Sequence, residues 1–224
     1  MSIYGQFCPI ARTAEVLGER WTLLIIREML MGSSRFNELQ RGMSKISPSL
    51  LSKRLQELEA VNIIYKKKID GQKGYAYFLT QSGLALEPLV MEFAKWGMNW
   101  IEEQLSDDEL DLELLMFDIN RNLHRDKFPD TLTTLKFFFK DVVKFKDWWV
   151  LVTPQDTDLC TKDPGKEPDV YITTCSRSLA EVWMGQLSWQ QAIRQEDIKI
   201  MGETSLARQI PGWLGTSVTV ALKA

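Results

Sequence analysis

The chain has 224 residues, 45% apolar and 25% charged, with a formal net charge of −3. This is the balance of a globular protein of one or two domains, and it excludes collagen-like, low-complexity and membrane-embedded chains. The total hides an asymmetry: residues 1–80 hold 12 Lys/Arg and 7 Asp/Glu, a balance of +5, while the other 144 come to −8. A basic amino-terminal module joined to an acidic remainder suits one part that meets a polyanion and one that does not.

Taken in chain order, Pro9–Leu17 reads as a short helix with Ile10, Ala14 and Leu17 on one side, interrupted by Gly18. Arg20–Met31 is a second, densely apolar helix ended by Gly32, and Ser33-Ser34 can cap a third over Arg35–Arg41. After a turn through Gly42 comes "SPSLLSKRLQELE", Ser47–Glu59. Ser47 is a helix cap, Pro48 fits the first helical position, and Leu51, Leu55 and Leu58 form an apolar stripe. Ser49, Ser52, Lys53 and Gln56 share a different face that carries hydroxyls, an ammonium and an amide but no carboxylate. Asn62 is a left-handed terminator. Two strand-like runs, Tyr65–Ile69 and Tyr75–Thr80, then flank a glycine-rich turn and carry Lys66, Lys67, Lys68 and Lys73. A long apolar helix is expected from Gly83 to Leu105, and its wide apolar band calls for a partner.

The acidic joint Ser106-Asp107-Asp108-Glu109 marks a boundary, giving domains 1–105 and 106–224. The second half reads as an amphipathic helix through Leu112–Leu123 and strands over Thr131–Lys140, Val142–Thr153, Thr157–Thr161 and Val170–Cys175. A helix over Leu179–Gln195, a strand Ile198–Met201, a helix Leu206–Leu214 and a strand Ser217–Leu222 complete it. That order indicates an α+β domain with a largely antiparallel sheet.

Helix–helix–helix–turn–helix–hairpin is the order of a winged helix. The last helix of such a module enters the DNA major groove with its polar face, while helix ends and hairpin lysines hold phosphates. Residues 8–100 resemble the HxlR-type winged-helix regulators, relatives of the MarR-type dimers. The resemblance rests on Cys8-Pro9, "LGERWTLLIIREMLMGSSRFNELQRGM", "ISPSLLSKRLQELE", "YFLTQSG", Leu86 and Trp96-Gly97. Two departures are Glu19-Arg20, where the family often has Gly before the Trp, and Asn62 in place of a usual Gly. The resemblance implies a homodimer, formed through the first and last helices of the module, on an inverted-repeat operator in double-stranded DNA. It points to Ser49, Ser52, Lys53 and Gln56 for the groove, to Arg35, Lys67 and Lys73 for phosphates, and to Ser47 at the helix start as a further DNA-binding residue. Arg54 lies between the two faces of its helix.

Some members of this family sense oxidants or electrophiles through a cysteine at the position of Cys8. Here Cys8 precedes Pro9 at a helix start, a place that lowers a thiol pKa. The alternative is a small apolar packing residue, and no nearby second cysteine is available to resolve a sulfenic acid.

The segment "DVYITTCSRSLAEVWMGQLSWQQAIRQEDIKIMGETSLARQI" resembles sterol-carrier-protein-like domains, though the usual Gly between Ile193 and Ile198 is absent. The fold class is therefore a mainly α winged helix-turn-helix domain followed by an α+β sterol-carrier-like domain. That resemblance implies an apolar cavity, for which Trp149, Trp183, Met184, Leu187, Leu206 and Ile210 are candidate walls. A filled core and a dimer-supporting role are the alternatives.

Three cysteines (Cys8, Cys160 and Cys175) and the single His124 supply no disulfide scaffold, zinc cluster or histidine-based triad. There is also no phosphate loop, HExxH or nucleophile elbow, so neither enzyme, metal nor cofactor is expected. No apolar run spans a bilayer and no leader opens the chain, so the expectation is a cytoplasmic protein with no membrane partner. The rival reading is a lipid or small-molecule binding protein whose winged helix makes protein contacts.

Overall fold

The computed structural model describes residues 4–69, 71, 74–101, 110–217 and 220. The chain divides into two compact units, Met1–Ile101 and Glu102–Ala224. The expected acidic joint Ser106–Glu109 lies outside the described residues.

In the first unit α1 (Pro9–Leu17) begins with Pro9 directly after its cap residue Cys8, where no N–H partner is needed. α2 (Thr22–Leu30) starts two residues later than the apolar run predicts. Trp21 sits at φ 79, in the left-handed region, so Glu19–Trp21 is a tight turn and not helix. α3 (Phe36–Arg41) is capped from within and not by Ser33-Ser34: the Glu38 carboxylate accepts the backbone N–H groups of Ser34 and Arg35, both at 2.9 Å. α4 (Pro48–Ala60) has the expected cap, Ser47 Oγ accepting the Leu50 N–H at 3.3 Å. It ends where Asn62 takes φ 59 and Ile63 N–H returns to the Leu58 carbonyl.

β1 (Ile64–Lys68) and β2 (Tyr75–Leu79) form the antiparallel hairpin. A third, unexpected segment joins it: Tyr77 N–H donates to the Ser34 carbonyl at 2.8 Å, and Arg35 bridges Ala76. The core joins Ile25 and Ile26 of α2, Leu39 of α3, Leu51, Leu55 and Leu58 of α4, and Ile64 of β1.

The long helix expected from Gly83 is two helices, α5 (Gln81–Leu84) and α6 (Glu87–Trp100). Pro88 explains the break. It has no N–H to bond the Leu84 carbonyl, so the helix restarts around it. α6 stops at Trp100, because Ile101 is extended.

The second unit opens with α7 (Leu112–Asn122), followed by β3 (Thr133–Phe139), β4 (Asp147–Val152), β5 (Thr157–Cys160) and β6 (Val170–Thr174). Strand character does not reach back to Val142. Asp141 leaves the sheet to cap the next helix, accepting the Ser176 N–H at 2.9 and 3.0 Å, and Phe145 turns at φ 53. The helix expected over Leu179–Gln195 is also two, α8 (Ser176–Trp183) and α9 (Trp189–Arg194). Gly185 ends the first at φ 68, and Ser188 with Gln191 makes a capping box that starts the second. β7 (Lys199–Gly202) and α10 (Thr204–Leu214) complete it. The expected last strand falls largely on residues outside those described.

The sheet order is β5-β4-β3-β6-β7, with only β3 and β6 parallel. One face carries Phe137, Phe139, Trp148, Val150 and Ile172 against Met116 and Ile119 of α7, Leu179 and Trp183 of α8, and Ile210 and Trp213 of α10. This is an α+β domain with helices over one face of its sheet.

Candidate nucleic-acid interface

α4 buries Leu51, Leu55 and Leu58 and turns Ser47, Ser49, Ser52, Lys53 and Gln56 to solvent. The four groove candidates and Ser47 are therefore all accessible. Ser47 is partly committed, since its Oγ caps the helix and lies 3.2 Å from Ser49 Oγ. The Lys53 side chain is 66% exposed, with Nζ 3.9 Å from Glu57 Oε1, a loose surface pair that leaves its charge available.

Arg54 is different. It is buried, and all three guanidinium nitrogens donate within the protein: Nη1 to Glu57 at 2.6 Å, Nη2 to Glu19 at 2.7 Å and Nε to the Arg20 carbonyl at 3.1 Å. Burial opposes its charge, but the hydrogen bonds and attraction of Glu57 and Glu19 outweigh burial and raise its pKa.

The hairpin lysines separate by alternation. Ile64, Lys66 and Lys68 point to one face, and Tyr65 and Lys67 to the other, where Tyr65 stacks on Phe78 with ring centroids 5.5 Å apart. Lys66 reaches back to α4 and donates to Glu59 at 2.8 Å, which raises the lysine pKa. Lys67 and Lys68 are both exposed. Lys68 shares the α4 side of the hairpin with Lys66 and is a further exposed cation of the wing. The period of two within the lysine run could have singled it out. Lys73 lies outside the described residues. Arg35 is half-buried at the cap position of α3, with its backbone bridged to β2.

α6, which packs on α2, has eight apolar residues in fourteen and buries none of them. Phe93, Trp96 and Trp100 are 57, 60 and 75% exposed. Phe7 and Ile10, just before and within α1, are exposed as well. Cys8 stands at the α1 N-terminus, half-buried, with no hydrogen bond from its sulfur to the helix.

Comparison with known proteins agrees with this geometry. Residues 16–105 match the model of the HxlR-like helix-turn-helix family. An HTH-type transcriptional regulator of Bacillus subtilis, YvaP, is 34% identical over 105 residues, spanning 46% of this chain and 97% of its own length. The chain belongs to the HxlR-like family. Two further relatives from the same organism are YybR, 34% identical over 40% of this chain and 73% of its own, and YodB, 33% identical over 44% and 89%. The solved reduced form of YodB overlies 43% of this chain and 97% of its own at 32% identity and a TM-score of 0.37. The coarse function follows from membership: this HxlR-like chain is a helix-turn-helix transcriptional regulator.

The relatives named cover less than half of the HxlR-like chain. Its second part, residues 120–214, matches the SCP-2 sterol transfer family. The six candidate cavity residues do not share one site. Trp183 and Ile210 are buried on the helix-covered face, with Met184, Leu187 and Leu206 half-buried around them. Trp149 is on the other face, because it follows Trp148 in a strand and successive side chains alternate. There it lies under Lys136, whose Nζ is 5.0 Å from the ring, and borders a polar cleft of about 260 Å³ with Glu167 and Tyr171. The Tyr171 hydroxyl donates to Glu167 at 2.9 Å. Among the described residues no group of three His, Cys, Asp or Glu could hold a metal, and no helix is long and apolar enough to cross a membrane.

Proposed function

We propose that this regulator is a cytoplasmic homodimer that reads an inverted-repeat operator in double-stranded DNA and performs no enzymatic step. The observation that carries this reading is the α4 surface, where Ser49, Ser52, Lys53 and Gln56 are exposed together and the carboxylates of their helix are drawn away. Glu57 turns to Arg54 and Glu59 to Lys66, so the face offered to a polyanion carries donors and positive charge. α6 and the start of α1 supply the apolar surface that a second copy would cover.

The carboxy-terminal unit is proposed to take an apolar effector. The match to a sterol transfer family supports this, and the half-buried Met184, Leu187 and Leu206 supply an apolar rim over the Trp183–Ile210 core. The effector would act by binding two dimer geometries unequally. A thiol at Cys8 is a second route of control, supported by its place at the start of the exposed α1.

Selection from a pool of random duplexes tests the central reading. Wild type is expected to enrich an inverted repeat and the Ser52→Ala/Lys53→Ala variant is not. Equal enrichment by both would remove α4 as the reading helix.

A further inference from the structure

We propose that Arg54 is a positioning residue: it does not touch DNA, but clamps the reading helix to the α1–α2 turn and so sets the separation of the two half-sites. This rests on the dimeric DNA-binding reading above.

The apolar stripe of α4 seats the helix on its core, but hydrophobic contact is non-directional and leaves rotation about the helix axis and sliding along it loosely set. Charge-assisted hydrogen bonds to a planar guanidinium are directional. Arg54 makes them from α4 to the α1–α2 turn, while the flexible Lys66 ties Glu59, at the far end of α4, to β1. One nitrogen stays within α4 through Glu57, while the other two cross to Glu19 and to the Arg20 carbonyl. With three of its five N–H donors committed within the protein and the residue buried, the guanidinium offers little to a phosphate. The neighbouring Lys53, about 100° around the helix, is open to solvent.

The turn that receives the clamp has an unusual backbone. Trp21 is held at positive φ, uncommon for a bulky side chain, and the Arg20 guanidinium lies 5.1 Å from its ring. The turn also joins the right elements. It connects α1 to α2, and α2 packs on α6, so it belongs to the scaffold that carries the exposed faces of Ile10, Phe93 and Trp96. In a dimer formed through those faces, the line from partner to groove runs α6, α2, turn, Arg54, α4. A helix free to rotate would still bind phosphate, but the distance between two reading helices would no longer be single-valued.

Glu19→Gln gives a test whose sign separates the readings. Removing a carboxylate from a DNA-binding surface should, by electrostatics alone, tighten binding to a polyanion. Loosening the clamp should weaken it. Duplex selection and binding titrations at several salt concentrations are run on wild type, Glu19→Gln and Arg54→Lys, with folding of each checked by circular dichroism and thermal melting. Arg54→Lys keeps the charge and loses the planar fork, so it serves if Glu19→Gln fails to fold.

The expected result has three parts. Operator affinity falls roughly tenfold, the scale of one charge-assisted hydrogen bond. The slope of log K against log salt stays as in wild type. The half-site spacing recovered by selection broadens. Wild-type affinity and a single wild-type spacing in both variants would overturn the clamp alone. A wild type that enriches no repeat would overturn the DNA reading itself, and the clamp's role with it.

Discussion

Gly42 and Glu28 meet with no room for a side chain between them: a Cβ on Gly42 would overlap the Glu28 carboxylate. That carboxylate is fully buried, and Arg27 ties both sides of the contact, donating to Glu28 Oε1 at 2.6 Å and to the Gly42 carbonyl at 3.1 Å. The Ser33 hydroxyl adds a longer bond to Glu28 Oε2 at 3.4 Å. The backbone of Gly42 is ordinary, at φ −68, so the need for glycine is one of space alone. Gly42→Ala should destabilise the first unit by roughly 1–3 kcal/mol, the usual cost of overpacking. Urea denaturation checks this, and an unchanged midpoint would show that the carboxylate can move aside.

The wing lysines should differ in what they do to salt dependence. Lys68→Ala and Lys53→Ala each remove an exposed cation, and each should reduce the magnitude of the log K against log salt slope by about 0.9. Lys66→Ala should change the slope much less, because the Lys66 charge is already matched by Glu59 at 2.8 Å. Filter-binding or anisotropy titrations across a salt series measure it. A full-sized change for Lys66→Ala would mean that the ammonium leaves Glu59 for a phosphate on binding.

What could be read from the sequence was mostly local. The Ser47 cap, Pro48, the Leu51-Leu55-Leu58 stripe and the left-handed Asn62 each act within one turn of chain, and the structure repeats them. So does the order of elements, since turns and periodicity are short-range signals. The helix breaks at Leu86 and Gly185 were legible too, from Pro88 and from glycine, but a continuous apolar pattern masked them. The Trp148–Trp149 alternation was likewise present in the sequence, yet aromatic richness says nothing of which face each ring takes. Long-range pairings were not legible. Arg54 meets Glu19 from 35 residues away, and Ser34 joins the hairpin from beyond α4. Such contacts depend on where three helices place a turn, and no local rule carries that.

The exposed face of α6 makes a prediction about assembly. A Trp96→Glu/Trp100→Glu variant should shift the protein from dimer to monomer in sedimentation equilibrium. Neither ring is buried within its own unit, so thermal stability of the folded monomer should change little. Operator affinity should fall with dimerisation, because one half-site alone holds half the contacts. A variant that stays dimeric would place the interface elsewhere on the first unit.

The three cysteines should not react alike. Burial pushes the Cys160 thiol upward from its ordinary value, and Asp158 pushes it further, accepting the thiol hydrogen at 3.4 Å and repelling a thiolate. The sign follows directly: with the pKa raised, the thiolate fraction at pH 8 is below that of a free cysteine, and the gap closes only in stronger base. Iodoacetamide labelling followed by mass spectrometry should find Cys160 slower than a free thiol at pH 8. Asp158→Asn should speed it while leaving the burial contribution in place. Labelling of Cys160 at the rate of free cysteine would show that the edge strand β5 opens and exposes it. A slow Cys160 would leave control by a thiol to Cys175, whose Sγ lies 2.9 Å from Ser178 Oγ, and to Cys8, which stands at the start of the helix expected to face a second copy.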